Sequence, residues 1–403
     1  MDAWGRLRRE VMPVAGKFGA PLLARVGATV LQAVTMILLA RDLGPAEFGP
    51  FASSLGIGAV LGSLLGFGSS AQALRLLATP RPEGLAATLL LLRLGTAAVV
   101  AAAVLAVGWG GPRETIILAA VYATTEVICE LAQSIMLGMK RTVLAHLAIV
   151  LRRALPVALL LAGAVLHADA ALGLSAGWIL STVITMAFCF SLLGRPIAVA
   201  TAVRSGVHFW SSTALVKLQN LDVVLLQAVG APALVGQYAA AARVVNPLNL
   251  FTATLLSILT PKLASAADAE ERALVFRQGR LALLGYFAAL VAAAPLAYWL
   301  GPALLGEEYR PAAPLFAAFT IAAGISGLGQ IHVSLLYALD LAHRVALVRL
   351  GAIPAGLAVL LLATYAAGIT GAALAVIATQ IMPVLLLRRI VVKLDLEKVR
   401  IGA

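Results

Sequence analysis

The chain has 403 residues, of which 62% are hydrophobic and 12% charged, with a mean hydropathy of +0.99. A soluble domain carries charge on about a quarter of its residues, so this composition excludes one. The net charge of +12 does not mark a nucleic-acid binder, because the basic residues form no single arm with interleaved aromatics. Cys129 and Cys189 lie apart in apolar segments, which excludes a disulfide framework or a zinc site.

A bilayer core about 30 Å thick needs roughly 20 apolar residues per helix. Gly, Pro and charge punctuation then predicts twelve spans, near 18–40, 49–72, 86–108, 115–137, 143–166, 171–193, 207–229, 236–260, 281–300, 312–337, 343–366 and 369–390. The basic start, MDAWGRLRRE, runs into a long segment holding Arg25 with no small-residue cleavage site, which reads as a signal anchor. Residues 3–12 are expected to lie on the membrane surface as an amphipathic helix. One set of alternate loops holds twenty Lys and Arg, and the opposite set holds only Arg41, Arg113 and Arg310. Basic loops stay on the cytoplasmic side, so both termini are expected in the cytoplasm. The protein is then a multi-pass protein of the inner (cytoplasmic) membrane.

Span 1 is followed by LGPAEFGPFASS (Leu43 to Ser54) and span 7 by VGAPALVGQYAAA (Val229 to Ala241). The two align through Gly44/Gly230, Gly49/Gly236 and Phe51/Tyr238 at an offset of about 187 residues, close to half the chain. Both preceding spans run outward. The repeat is therefore parallel, and lobes related in this way usually enclose a cavity that opens alternately to either side. The expected organisation is a cytoplasmic segment at 1–17, an N-lobe at 18–193, a cytoplasmic linker at 194–206, a C-lobe at 207–392 and a cytoplasmic tail at 393–403.

The segment ARDLGPAEFGPFASSLGI, the later LDVVLLQAVGAPALVGQYAAAARVVNP and Pro261-Lys262-Leu263 together resemble the polysaccharide flippases of the MOP exporter superfamily. The match is spread over most of residues 18–265. The resemblance implies an all-α integral membrane protein with about twelve transmembrane helices in two parallel six-helix lobes around a central cavity, the MATE-like fold. It further implies translocation of an undecaprenyl-diphosphate-linked oligosaccharide from the inner to the outer leaflet by alternating access, for polysaccharide or lipopolysaccharide biosynthesis. The implied partners are the bilayer, that lipid-linked oligosaccharide and a polysaccharide polymerase or assembly machinery, with the chain itself a monomer that binds no nucleic acid. No cofactor is implied, and coupling to H+, Na+ or the membrane potential is left open.

Ionisable groups at membrane depth are costly and should face a cavity or a partner. At a rise of 1.5 Å per residue, Arg25, Arg93, Arg152 and Arg349 fall roughly 10–14 Å from the cytoplasmic ends of their spans and Lys217 about 15 Å. Facing inward they would form a basic collar for a diphosphate, whose oxygens suit guanidinium forks; facing outward they would snorkel to head groups. Tyr122, Glu126 and Glu130 stripe one face of span 4, so either glutamate is a candidate coupling or gating group or a counter-charge for the collar. Depth matching pairs Glu130 with Arg152 or Arg153, and Asp222 with Arg243, each pair being either a structural bridge or a gate. Pro247 should kink span 8 beside Arg243, Asn246 and Asn249, and with Gln32, Asn220 and Gln72 these amides could bond sugar hydroxyls or glue helices together. The glycines 56, 58, 62, 66 and 68 of span 2 read as a close-packing surface.

Two other functions compete with this reading. A polymerase or glycosyltransferase needs a large outer loop or an Asp-x-Asp metal site, and neither occurs; a P-loop is also missing. A multidrug exporter of the same superfamily should carry a cavity dominated by carboxylates and aromatics, whereas aromatics are 6% here and intramembrane bases outnumber acids. Reporter fusions test the topology. Green fluorescent protein placed after Ala403 should fluoresce, and alkaline phosphatase inserted after Glu307 should be active; the reverse pattern would invert the orientation.

Overall fold

The computed structural model describes the backbone of residues 3–76, 82–107, 111–167 and 169–398, and most side chains from 24 to 394. The side chains of the amphipathic segment 3–12, and those beyond residue 394, lie outside the described residues. The described elements are helical throughout: α1 Ala3–Leu64, α2 Ser69–Ala73, α3 Pro82–Val107, α4 Arg113–Gly138, α5 Thr142–Val165, α6 Ala170–Phe190, α7 Val199–Lys217, α8 Leu221–Val229, α9 Pro232–Val245, α10 Asn249–Ser265, α11 Ala269–Leu305, α12 Ala313–Ala338 and α13 Ala342–Lys398.

Among the described residues nine helices are long and apolar enough to cross a membrane. Two of these are double. In α1, Gly44 stands at φ 65°, ψ 169°, and in α13, Ala367 and Gly368 depart from helical geometry, Gly368 at φ 55°. Each kink separates two membrane-length segments. The rod formed by α7 and α8, interrupted by a 3₁₀ turn at Leu218–Asn220, supplies a further span, which gives twelve. The chain is a multi-pass α-helical membrane protein.

Local chemistry explains where the helices begin and end. Pro45 follows the left-handed Gly44, and Pro232 opens α9 after Ala231; a proline at the first helical position loses no hydrogen bond there. Asp169 caps α6 by accepting from the Ala171 and Leu172 N–H groups, and Asp268 caps α11 by accepting from the Glu271 N–H. The turns after α4 and α12 are the same motif. The Lys140 N–H donates to the Leu137 carbonyl and the Arg141 N–H to that of Met136, while Asp340 donates to Tyr337 and Leu341 to Leu336. Lys140 and Asp340 both take positive φ, at 57° and 59°. These are paired Schellman endings, and they stand at equivalent places in the two halves of the chain although the residues differ.

The chain packs as two compact units. Unit 1 is Met1–Thr35, Leu65–Ala102 and Ala120–Trp210; unit 2 is Met36–Leu64, Ala103–Ala119 and Ser211–Ala403. They differ from the lobes of chain order, because segments 36–64 and 103–119 join the C-terminal half.

Unit 1 buries a core that includes Leu76, Leu89, Leu131 and Ile135. In unit 2 the two copies of the repeat lie directly against each other. A methyl group added to Gly49 would meet the Pro232 carbonyl and the Gly236 nitrogen, and one added to Gly236 would meet the Pro45 carbonyl and the Gly49 nitrogen. Equivalent residues thus touch reciprocally, as across a two-fold axis. Gly56 continues the seam against the Asn220 carbonyl, and the Ser53 hydroxyl lies 3.2 Å from the Val223 carbonyl oxygen. At the Gly44 end, the Tyr309 hydroxyl donates to the Ala40 carbonyl and Gln237 to that of Glu308. Gly236→Ala should therefore destabilise by about 1–3 kcal/mol, since its neighbours are backbone atoms that cannot rotate away. Gly285→Ala, with open space around it, is the control, and thermal unfolding in detergent compares the two.

Candidate functional site: two polar clusters at membrane depth

In unit 1 one carboxylate organises the polar groups. Helix α4 presents Tyr122, Glu126 and Glu130 at four-residue spacing, and α5 carries Arg152 and Arg153 opposite. Arg152 Nη2 lies 2.9 Å from Glu126 Oε2, and Arg153 Nη1 lies 2.5 Å from Oε1. The Tyr122 hydroxyl donates to the same Oε1 at 3.0 Å and receives Gln32 Nε2 at 3.3 Å. Its ring stands edge-on to Trp178 of α6, with centroids 4.7 Å apart. Two guanidiniums meet one carboxylate here, so the node keeps an excess positive charge. The Arg152 Nε–H has no hydrogen-bond partner among the described residues.

The ion pairing differs from the depth match. Glu126 takes both arginines, and Glu130, one turn further along, is 3.7 Å from Arg93 Nη2. The two glutamates differ in depth by only about 6 Å, which a depth argument cannot resolve. Arg93 does not snorkel. It is 4% exposed, its Nε donates to the Val127 carbonyl at 2.9 Å and its Nη2 to the Ser70 hydroxyl at 3.1 Å. Arg25 has an exposed side chain. Gln72, named as a sugar contact or helix glue, is buried and donates to the Ala202 carbonyl.

In unit 2 the site forms where two rods break. The Leu218–Asn220 turn separates α7 from α8, and a second 3₁₀ turn at Asn246–Leu248, carrying Pro247, separates α9 from α10. Asp222 begins α8. Its Oδ1 accepts from the Val223 N–H at 2.7 Å and its Oδ2 from the Tyr238 hydroxyl at 2.9 Å. The expected Asp222–Arg243 ion pair does not form among the described residues. Tyr238 and Arg243 are five positions apart on α9, about 140° round its axis; Tyr238 takes the hydrogen bond to Asp222, and Arg243 acts on that carboxylate only electrostatically, from beyond ion-pair distance. Lys217 and Arg243 are half-buried without an ion pair among the described residues, and Asn246 and Asn249 are exposed and bonded to each other at 3.3 Å. Asn220 donates to the Lys217 carbonyl and so helps hold the break.

A cavity of about 240 Å³ opens beside Asp222, lined among others by Gln219, Tyr238, Phe319, Gln330 and Arg349. Sequence reasoning named Arg349 only as one of a collar and missed Gln219, Gln330, Thr379 and Gln380 altogether. Single polar residues in apolar spans carry no sign of which helix face meets a void.

No family model matches the chain, and no curated protein matches it either. Solved structures do. Lipid II flippase MurJ in an inward closed conformation aligns with a TM-score of 0.71 at 12% identity, covering 92% of this chain and 86% of that one. An inward-facing multidrug resistance MATE family transporter of the MOP superfamily aligns at 0.64 and 16% identity, over 93% and 99%. The eukaryotic MATE transporter AtDTX14 aligns at 0.60 and 12%, over 95% and 96%. These likenesses establish the fold, which the chain shares with these solved structures.

The charge node makes a direct prediction. Glu126→Gln strands two arginines at depth and should cost about 3–5 kcal/mol. Glu130→Gln leaves only Arg93 without its acid, and Arg93 keeps its bonds to the Val127 carbonyl and Ser70, so it should cost clearly less than Glu126→Gln. Thermal unfolding in detergent reads both, and equal effects would remove Glu126 from its central place.

Proposed function

We propose that the protein is a flippase that carries an undecaprenyl-diphosphate-linked oligosaccharide from the inner to the outer leaflet by alternating access, in polysaccharide or O-antigen biosynthesis. The observation that carries this reading is the surplus of positive charge at membrane depth. The Glu126 node holds two guanidiniums against one carboxylate, and Lys217, Arg243 and Arg349 have no ion pair among the described residues. Uncompensated cations in a membrane protein call for an anionic ligand, and diphosphate oxygens match guanidinium geometry. A cation exporter would need the opposite balance. The fold fits this reading, since one solved relative is a lipid II flippase.

On this reading Arg25, Arg152, Lys217 and Arg243 receive the diphosphate, and Gln32, Asn246 and Asn249 contact the glycan. Glu126 then holds the arginines in place, and Glu130 and Asp222 remain for coupling to H+, Na+ or the membrane potential, or for gating. The protein works as a monomer in the inner membrane, with both termini in the cytoplasm and a polysaccharide polymerase or assembly machinery downstream. Fluorescence quenching of a labelled undecaprenyl-diphosphate glycan in proteoliposomes tests it. Wild type should move the lipid, and Arg152→Ala and Arg243→Ala should slow it at least about tenfold, the worth of one charge-assisted hydrogen bond. Transport of cationic dyes without glycolipid movement would make the protein a multidrug exporter instead.

A further inference from the structure

Arg349 is shared by two voids of unit 2. It lines the 240 Å³ cavity with Gln219, Tyr238, Phe319 and Gln330. It also lines a groove of about 360 Å³ with Leu215, Tyr337, Ala342 and Ala346. Arg349 sits seven residues into α13, about 10 Å from its start, at the end that basic-loop asymmetry assigns to the cytoplasm. The guanidinium is half-buried and has no ion pair or hydrogen bond among the described residues. A charge at this depth without a counter-charge calls for an anion.

We propose that these two voids form a further lipid seat, resting on the lipid-linked reading above and separate from the cations named there: before translocation a polyprenyl diphosphate sits on Arg349, its chain lies in the groove, and the first sugar enters the cavity. Each void has the chemistry its part requires. The groove offers Leu215, the Tyr337 ring and Ala346, an apolar bed for isoprenoid carbons. The cavity offers the carboxamides of Gln219, Gln330 and Gln380 and the Thr379 hydroxyl, which can both donate to and accept from sugar hydroxyls. Tyr238 and Phe319 stand edge-on with centroids 5.1 Å apart, giving an aromatic wall for the apolar face of a sugar ring. The Tyr238 hydroxyl donates to Asp222, which fixes that wall. A few convergent polar groups in a largely apolar cavity are what small-ligand sites present. Arg349 is common to the polar void and the apolar groove, as a diphosphate is common to the sugar and the chain of a glycolipid.

Native mass spectrometry of the full chain in detergent tests this with three probes: undecaprenyl diphosphate, undecaprenyl-diphosphate N-acetylglucosamine and phosphatidylglycerol. Arg349→Gln should weaken both diphosphate lipids at least about tenfold, as expected for a lost charge-assisted bond. Leu215→Trp, which fills the groove and keeps the charge, should weaken both as well. Gln380→Ala should weaken only the sugar-bearing lipid. Phosphatidylglycerol should not compete; if it displaces the glycolipid at equal concentration, the site is one for ordinary anionic lipid and the proposal fails. It also fails if Arg349→Gln and Leu215→Trp bind both diphosphate lipids like wild type, and Leu215→Trp alone decides should Arg349→Gln not fold. Translocation separates this inference from the wider one. Variants that bind and flip normally leave the flippase reading standing without this site, whereas a wild type that neither binds nor moves the glycolipid removes both.

Discussion

Among the described residues of unit 1, Glu126 is the acid that two arginines share, and the geometry of the helices around it follows from that. In hydrocarbon a guanidinium has no water to turn to, so Arg152 and Arg153 of α5 must close on α4 at that carboxylate. Tyr122 donates to the same oxygen, and through it Gln32 of α1 and Trp178 of α6 are drawn to the node. Four helices are thereby oriented about a single anion. Apolar packing alone specifies rotation poorly inside a membrane, because lipid tails offer an alternative surface of the same kind.

Unit 2 is held by a different device. Its central seam is built on small residues. Gly49 and Gly236 bring backbone against backbone, Gly56 meets the Asn220 carbonyl and the Val224 side chain, and Ser53 links across to the Val223 carbonyl and the Gln227 carboxamide. A seam of this kind gains from van der Waals contact and small-residue fit, and among the described residues it holds no ion pair. The breaks at Leu218–Asn220 and Asn246–Leu248 lie in the rods that flank it. They place Asp222 and the Asn pair where regular helices would have offered only side faces, and irregular backbone at membrane depth is tolerated where it is buried or lines a cavity.

Much of the architecture was legible in the sequence. Hydropathy found the helices, closely for α3 to α6 and α12, while α1, α7, α11 and α13 run eight or more residues past the expected spans; the aligned Gly49 and Gly236 marked a repeat whose copies meet at that pair. Pro247 announced the break in span 8. The break at Leu218–Asn220 carried no such mark, because Leu-Gln-Asn has no proline or glycine and only the tertiary setting unwinds it. The site was legible as a set of residue types at given depths. Its pairing was not, since Glu126 and Glu130 share a face and a depth to within one turn. Rotation about the helix axis, which gives Tyr238 rather than Arg243 the direct bond to Asp222, follows from packing that no single span encodes.

The charge balance bears on how such a carrier could reset. A substrate site whose cations were all matched by acids would have to break buried pairs on every cycle, and stranding one partner of a buried pair costs about 3–5 kcal/mol. Cations left with spare capacity need no such step. Arg152 keeps an unbonded Nε–H while anchored to Glu126, and Arg349 has no anion to release before a ligand arrives. The anchoring carboxylate lowers the cost of holding guanidiniums at depth, and the surplus charge leaves attraction for an anion. Glu126 would then serve transport by keeping two cations folded into the membrane while satisfying only part of what they can bind.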